Sequence, residues 1–159
     1  MERVLFVCTG NTCRSPMAEL LAKRKMADFE NLSFSSAGIS ARDGQPASPL
    51  AISVLSEMGI DLSSHRASRL TRDKITNSGL IAAMTPLHKS AVLDIDPEAE
   101  PKVIVLGELD GRRKTADIID PIGRGREAYI GVRDEIDHLT DILKDYITER
   151  FNLGGDMPD

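Results

Sequence analysis

Two cysteines, an arginine and a serine stand in one short run, Cys8-Thr9-Gly10-Asn11-Thr12-Cys13-Arg14-Ser15. The run has a strand before it and a helix start after it. Residues 3–7 (RVLFV) are a short apolar stretch rich in branched side chains, the pattern of a buried strand. Ser15 followed by Pro16 predicts an N-cap and the first helical residue. A turn between strand and helix gathers backbone N–H groups into a concave anion nest, and the helix dipole adds positive potential. Gly10 and Asn11 are the residue types that accept left-handed backbone angles there. A cysteine at the lip of such a nest is held as the thiolate, its nucleophilic form. The planar fork of Arg14 can point back at three phosphoryl oxygens, which a lysine cannot match. Ser15 can donate a hydrogen bond to the sulfur. Cys13 reads either as a packed thiol at the helix start or as a disulfide partner that protects Cys8 from overoxidation.

Displacement of a poor leaving group by a thiolate needs a proton donor on the opposite side. Asp120, followed by Pro121, lies on a long polar loop running from Gly107 to Arg126. Long loops in compact domains are usually functional or disordered. General acids of this kind contribute about 10²–10⁴-fold to a rate. Asp-Pro alone is also a common turn opener, so Asp120 gains its meaning from the Cys8 run; Asp117 is the nearest competitor.

These groups must be positioned by a scaffold, and the chain alternates strand and helix patterns. The first helix continues through MAELLAKRKMADF, with Met17, Leu20, Leu21 and Met26 on its apolar face. Residues 32–37 form a second strand closed by Gly38. Ser48-Pro49 repeats the cap-then-proline signal, and Gly59 stops that helix. A short helix follows Ser68. Residues 79–84 (GLIAAM) and 102–106 (KVIVL) make two more strands, with a helix opened by Thr85-Pro86 between them. A last helix over about 127–146 aligns Tyr129, Val132, Ile136, Leu139, Leu143 and Tyr146 in one stripe. Buried strands alternating with helices predict a parallel sheet covered on both faces, with ligands at its carboxyl edge. That edge is where the Cys8 run lies.

Length and composition bound the rest. The chain has 159 residues, 41% hydrophobic and 28% charged, which fits one globular domain over residues 1–150 and a flexible tail over 151–159. A net charge of -5, no Trp and only two Tyr and four Phe disfavour nucleic-acid binding. No apolar run approaches the ~18 residues of a membrane span, and the opening run has no cleavage site behind it, which points to the cytoplasm. His65, His88 and His138 are scattered singly and two cysteines make no scaffold, so neither zinc nor a disulfide framework is expected. Gly123 to Ala128 matches G-x-G-x-x-A on a polar loop instead of after a strand, so it carries no dinucleotide site.

Cysteine, five spacers, arginine and serine form the pattern of cysteine-dependent phosphatases. VCTGNTCRSPMAE at 7–19 resembles the active-site signature of the low-molecular-weight protein tyrosine phosphatases. SSAG at 35–38, SHRAS at 64–68 and DPIG at 120–123 follow in that family's order. The resemblance implies Cys8 as nucleophile, Arg14 as phosphate clamp and Asp120 as general acid. It implies a phosphate site made by Thr9, Gly10, Asn11, Thr12, Cys13, Arg14 and Ser15. Asn11, Ser36 and His65, with Ser15, would hold that loop in shape. It also implies an α/β three-layer sandwich with a four-stranded parallel sheet of order 2-1-3-4. Substrates would be phosphorylated proteins, handled by a monomer with no cofactor, metal, nucleic acid or membrane partner.

Members acting on phosphotyrosine usually carry a bulky aliphatic residue at the position of Thr12, and aromatic residues after the Asp-Pro. Here Pro121 is followed by Ile122 and Gly123. CTGNTCRS with DP-x-G is similar to the protein-arginine phosphatase branch, in which a threonine favours phosphoarginine. Ile122 departs from the phenylalanine frequent in that branch, and Arg124 and Arg126 add positive charge beside the acid. The alternatives are a general tyrosine phosphatase and a non-catalytic phosphoprotein-binding module. An arsenate reductase of this fold would need a further downstream cysteine, and none follows residue 13.

Overall fold

In the computed structural model, which describes residues 1–154, β1 (Glu2–Cys8) is buried from Val4 onward and alternates its side chains between two apolar layers. Val4, Phe6 and Cys8 enter the larger core, and Leu5 and Val7 the smaller one. Such two-sided burial requires helices on both faces. β2 (Leu32–Gly38), β3 (Leu80–Ala83) and β4 (Val103–Val105) complete a four-stranded parallel sheet of order β2-β1-β3-β4. That is the order the family resemblance implies. β1 is therefore central, paired on one side with β2 from Glu2↔Leu32 to Cys8↔Gly38 and on the other with β3.

The larger core lies under α1 (Arg14–Lys25), α2 (Pro49–Ser56) and α5 (Arg126–Arg150). The smaller core lies under α3 (Arg72–Thr76) and α4 (Pro86–Ile95), which supply Ile75 and Val92. α5 buries Tyr129, Val132, Ile136, Leu139 and Leu143 as the stripe predicts, and Ile147 in place of Tyr146. Each fully buried aliphatic side chain of this stripe is worth about 1.5–3 kcal/mol. Ser48 and Thr85 cap α2 and α4, accepting from Ala51 N and His88 N, each with proline behind the cap. Gly59, at φ 76°, closes the segment after α2.

Three sequence expectations are corrected here. Ser15 does not cap α1. Cys13 occupies the cap position without a side-chain bond, and Ser15 lies inside the first turn, fully buried. The short helix expected after Ser68 is present, beginning at Arg72 behind a Thr71 cap. The chain after β4 is not wholly irregular, since residues 106–109 form a 3-10 turn, as do residues 97–102 before it. After α5, Phe151 and Leu153 fold back onto the larger core, so the segment expected to fray starts packed; the remainder of that tail lies outside the described residues. Among the described residues, no helix is long and apolar enough to cross a membrane.

Candidate active site

The end of the central strand is where the chemistry collects. Cys8 closes β1, buried at 2% exposure, with its Sγ 2.9 Å from Ser15 Oγ. Asn11 is the residue that turns the loop, at φ 56°. Gly10 is not left-handed, contrary to expectation, so the αL position falls to the asparagine alone. Asparagine tolerates that angle because its short amide can bond locally. Here Asn11 Nδ2 donates to Ser15 Oγ at 2.8 Å, and Oδ1 accepts from Ser68 N at 2.9 Å. His65 Nε2 donates to the Asn11 carbonyl at 2.8 Å, which fixes its tautomer because a carbonyl can only accept. When Cys8 is a thiolate its sulfur can only accept, and the Ser15 hydroxyl is then the donor of this contact. A hydrogen bond of that kind strengthens when the acceptor is anionic.

Gly38, across from Cys8, makes the close approach possible. A Cβ there would come within 2.5 Å of Thr9 O and 2.9 Å of Asn11 N. Its neighbours Ile39 and Ser40 donate backbone bonds to Cys8 O and Thr9 O, both at 2.9 Å. Among the described residues, the amides of residues 10–15 meet no protein acceptor, which leaves them free to bind an anion beside Cys8.

Thr12 and Cys13 are both buried. Thr12 is 7% exposed, its carbonyl accepts from Ser48 N at 3.0 Å, and its Oγ1 lies 3.7 Å from Cys13 Sγ. The Cys13 sulfur is 3.3 Å from Tyr129 Oη, which also accepts from Ser48 Oγ at 3.0 Å. Burial, and then the Cys13 hydrogen bond, push the Tyr129 phenol up to about 12. Both cysteines are free thiols.

Arg14 joins this loop to the acid loop. It is buried at 5% exposure and its guanidinium donates to Ile118 O at 3.0 Å. The same guanidinium lies 3.6 Å from Asp120 Oδ2. Ile118 is fully buried and its N–H bonds Met84 O at 3.1 Å, anchoring the segment just before the acid. Asp120 itself is about half exposed, and its Oδ1 accepts from Ile122 N at 3.1 Å in an Asx turn. Asp117 faces Thr115 and Arg113 through its backbone and forms no such tie to Arg14. The residues flanking Asp120 are the exposed aliphatics Ile119 and Ile122, with no aromatic wall.

Two expected contributors stand elsewhere. Ser36 donates to Glu19 Oε1 at 2.7 Å on α1 and takes no part in the Asn11 network. Its serine was placed by motif order, but its hydroxyl has a nearer carboxylate. Arg126 is tied to Ser53 and Glu57 of α2, so its charge is neutralised away from Asp120. One neighbour was missed. His88, buried at 2% exposure, bonds Thr9 Oγ1 through Nε2 at 2.8 Å. The Thr85-Pro86 cap places it, but nothing in the sequence ties position 88 to position 9.

A thiol, a guanidinium, free amides and a facing carboxylate thus meet at one sheet edge. The model of the family described as low molecular weight phosphotyrosine protein phosphatase matches residues 3–152. The chain belongs to this family. It is 41% identical over 145 residues to a protein-arginine-phosphatase of Geobacillus stearothermophilus, covering 89% of this chain and 93% of that protein. It is 38% identical over 131 residues to the low molecular weight protein-tyrosine-phosphatase Wzb of Salmonella typhi, covering 82% and 84%. The solved YwlE arginine phosphatase of Geobacillus stearothermophilus superposes with a TM-score of 0.87 at 38% identity over 100% of both chains.

Proposed function

We propose that this family member is a protein phosphatase that hydrolyses phosphoarginine through a cysteine-bound phosphoryl intermediate. Cys8 Sγ attacks phosphorus in line. The P–N bond breaks while Arg14 and the free amides of residues 10–15 stabilise the equatorial oxygens. Asp120 gives its proton to the departing guanidino nitrogen. Its carboxylate then takes a proton from water, which attacks phosphorus, breaks the S–P bond and releases phosphate. The observation that carries this reading is the loop around Cys8, where Ser15 faces the sulfur and Arg14 links it to Asp120.

Preference for phosphoarginine rests on two features. Thr12 is a small hydroxyl-bearing residue beside the nucleophile's loop. The acid is flanked by Ile119 and Ile122 instead of the flat rings that suit a phenol. Similarity to the Geobacillus arginine phosphatase supports the same choice. The family as a whole supports phosphotyrosine as the second reading.

Phosphate release from matched phosphoarginine and phosphotyrosine peptides tests the choice. Thr12→Ile adds apolar bulk and removes the hydroxyl, so it lowers phosphoarginine turnover relative to phosphotyrosine. A contact of this size changes the ratio of kcat/KM by roughly 10–200-fold. A parent enzyme that prefers phosphotyrosine, or an unchanged ratio in Thr12→Ile, returns the chain to the tyrosine reading.

The same reading makes it a cytoplasmic monomer over residues 1–150. Peroxide would convert Cys8 to a sulfenic acid, which the Cys13 thiol condenses with, releasing water and leaving a reducible disulfide. Cys13→Ser removes that protection and turns a reversible inactivation into an irreversible one.

A further inference from the structure

One buried polar side chain faces the active site with no task in the chemistry above. His88 stands in the first turn of α4, and both of its ring nitrogens meet threonine hydroxyls. Nδ1 is 3.1 Å from Thr85 Oγ1, and Nε2 is 2.8 Å from Thr9 Oγ1. Thr85 Oγ1 already accepts the His88 backbone N–H at 3.3 Å as the helix cap. A hydroxyl both donates and accepts, so each threonine can partner its ring nitrogen whichever nitrogen carries the proton of the neutral imidazole.

The surroundings keep the ring neutral. Burial, then the positive charge of Arg14, push His88 down to about 4, against the opposing pull of Asp120 and Asp117. So the chain Thr85–His88–Thr9 is built from neutral groups throughout.

Its far end matters because Thr9 directly follows the nucleophile. Thr9 is exposed, and an exposed threonine has no packing to hold one rotamer. Among the described residues, the other tie on this residue is its carbonyl, which accepts from Ser40 N at 2.9 Å. Asn11, Ser15, His65 and Ser68 hold the middle of the loop from the β2 side of the sheet. Nothing in that network touches the side chain of Thr9.

We propose that His88 is a positioning residue: through the Thr9 hydroxyl it ties the nucleophile's end of the phosphate loop to α4 and keeps that end in its transition-state shape. This rests on the reading of residues 8–15 as the phosphate cradle. A merely structural His88 would lower thermal stability and leave the cradle's affinity for a transition-state mimic untouched.

Orthovanadate is the probe, because it adopts the five-coordinate geometry of the transferring phosphoryl group. kcat, KM and the inhibition constant for orthovanadate are measured for the parent, Thr9→Val, Thr9→Ser, His88→Leu and the Thr9→Val/His88→Leu double variant. Thr9→Val and His88→Leu each lower kcat/KM by about 10- to 100-fold, the scale of a small misplacement of catalytic groups. The loss falls mainly on kcat, and the vanadate constant rises in step with it. The double variant loses no more than the worse single one, because both remove the same contact. Thr9→Ser, which keeps the hydroxyl, loses less than Thr9→Val. Thr9→Val sits at an exposed position, so it carries the test even if His88→Leu fails to fold. Unchanged kcat/KM in Thr9→Val, losses that multiply in the double variant, or unchanged vanadate affinity would each overturn the proposal. A parent that neither releases phosphate nor binds vanadate overturns the phosphatase reading as well; an active parent with an equally active Thr9→Val overturns this inference alone.

Discussion

The two loops that meet at Arg14 are built on opposite principles. The loop from Cys8 to Ser15 is buried except at Thr9 and Gly10, turned by one left-handed asparagine, and tied by hydrogen bonds to Ser68, His65 and His88. The loop carrying Asp120 has its anchor at Ile118 and its functional carboxylate half open to water. A cradle that stabilises developing charge must already be in place when the charge appears, since reorganising at that moment costs rate. A proton donor has a different duty. It must reach a leaving group that arrives with the substrate, so an open, lightly held position serves it better.

That contrast can be broken by experiment, beginning with the rigid side. Cys8→Ser removes the nucleophile and abolishes turnover, while the far-UV circular dichroism spectrum stays that of the parent. Residual turnover well above background in that variant would mean the cradle is not where the chemistry occurs. On the open side, Asp120→Ala lowers the rate by about 10²–10⁴-fold on substrates with poor leaving groups. The loss shrinks on a nitrophenyl phosphate, whose leaving group needs no proton. A larger loss from Asp117→Ala would move the acid to the other carboxylate.

Gly38→Ala sharpens the comparison, because its new Cβ strikes the backbone at Thr9 O and Asn11 N, not a yielding side chain. Overpacking of this kind costs about 1–3 kcal/mol of stability. A rigid loop transmits the displacement to catalysis, giving roughly a 10- to 100-fold fall in kcat/KM. A variant with parental kinetics would show that the loop yields after all.

The last effect is in stability against pH and leaves turnover at neutral pH aside. His88 lies at about 4 in the folded protein against 6.5 for the free side chain. Between those values the unfolded chain binds a proton that the folded one refuses, so this contribution is full above pH 6.5 and fades as the pH falls toward 4. The loss is at most about 3 kcal/mol. Denaturant titrations of the parent and His88→Gln across that range measure it, and parallel slopes would remove the assignment. The Asp110 carboxyl, lowered from 3.8 to about 2 by the Arg112 N–H and His138, acts only below this window.

Local pattern made the element sequence legible: the buried run of β1, the Ser48-Pro49 and Thr85-Pro86 caps and the α5 stripe all depend on neighbours in the chain. The sheet order came from family resemblance, because short apolar runs do not say which strands pair. The errors share a cause. Ser15 has the chemistry of a cap, but its hydroxyl is claimed by Cys8 and Asn11. Ser36 has the position of a loop support, but Glu19 is nearer. His88 was invisible because its partner lies 79 positions away in the sequence. In each case a side chain able to serve two partners was assigned by tertiary packing.

Placing the nucleophile at the end of the central strand has a consequence for partly denatured protein. The amides of β1 are shielded by strands on both sides and exchange with solvent only when the whole sheet opens. The segment around Asp120 has no such ladder and opens on its own at far lower cost. Under mild urea, anion capture therefore outlasts turnover: the chain loses its proton donor first and keeps its grip on phosphate until the sheet itself comes apart.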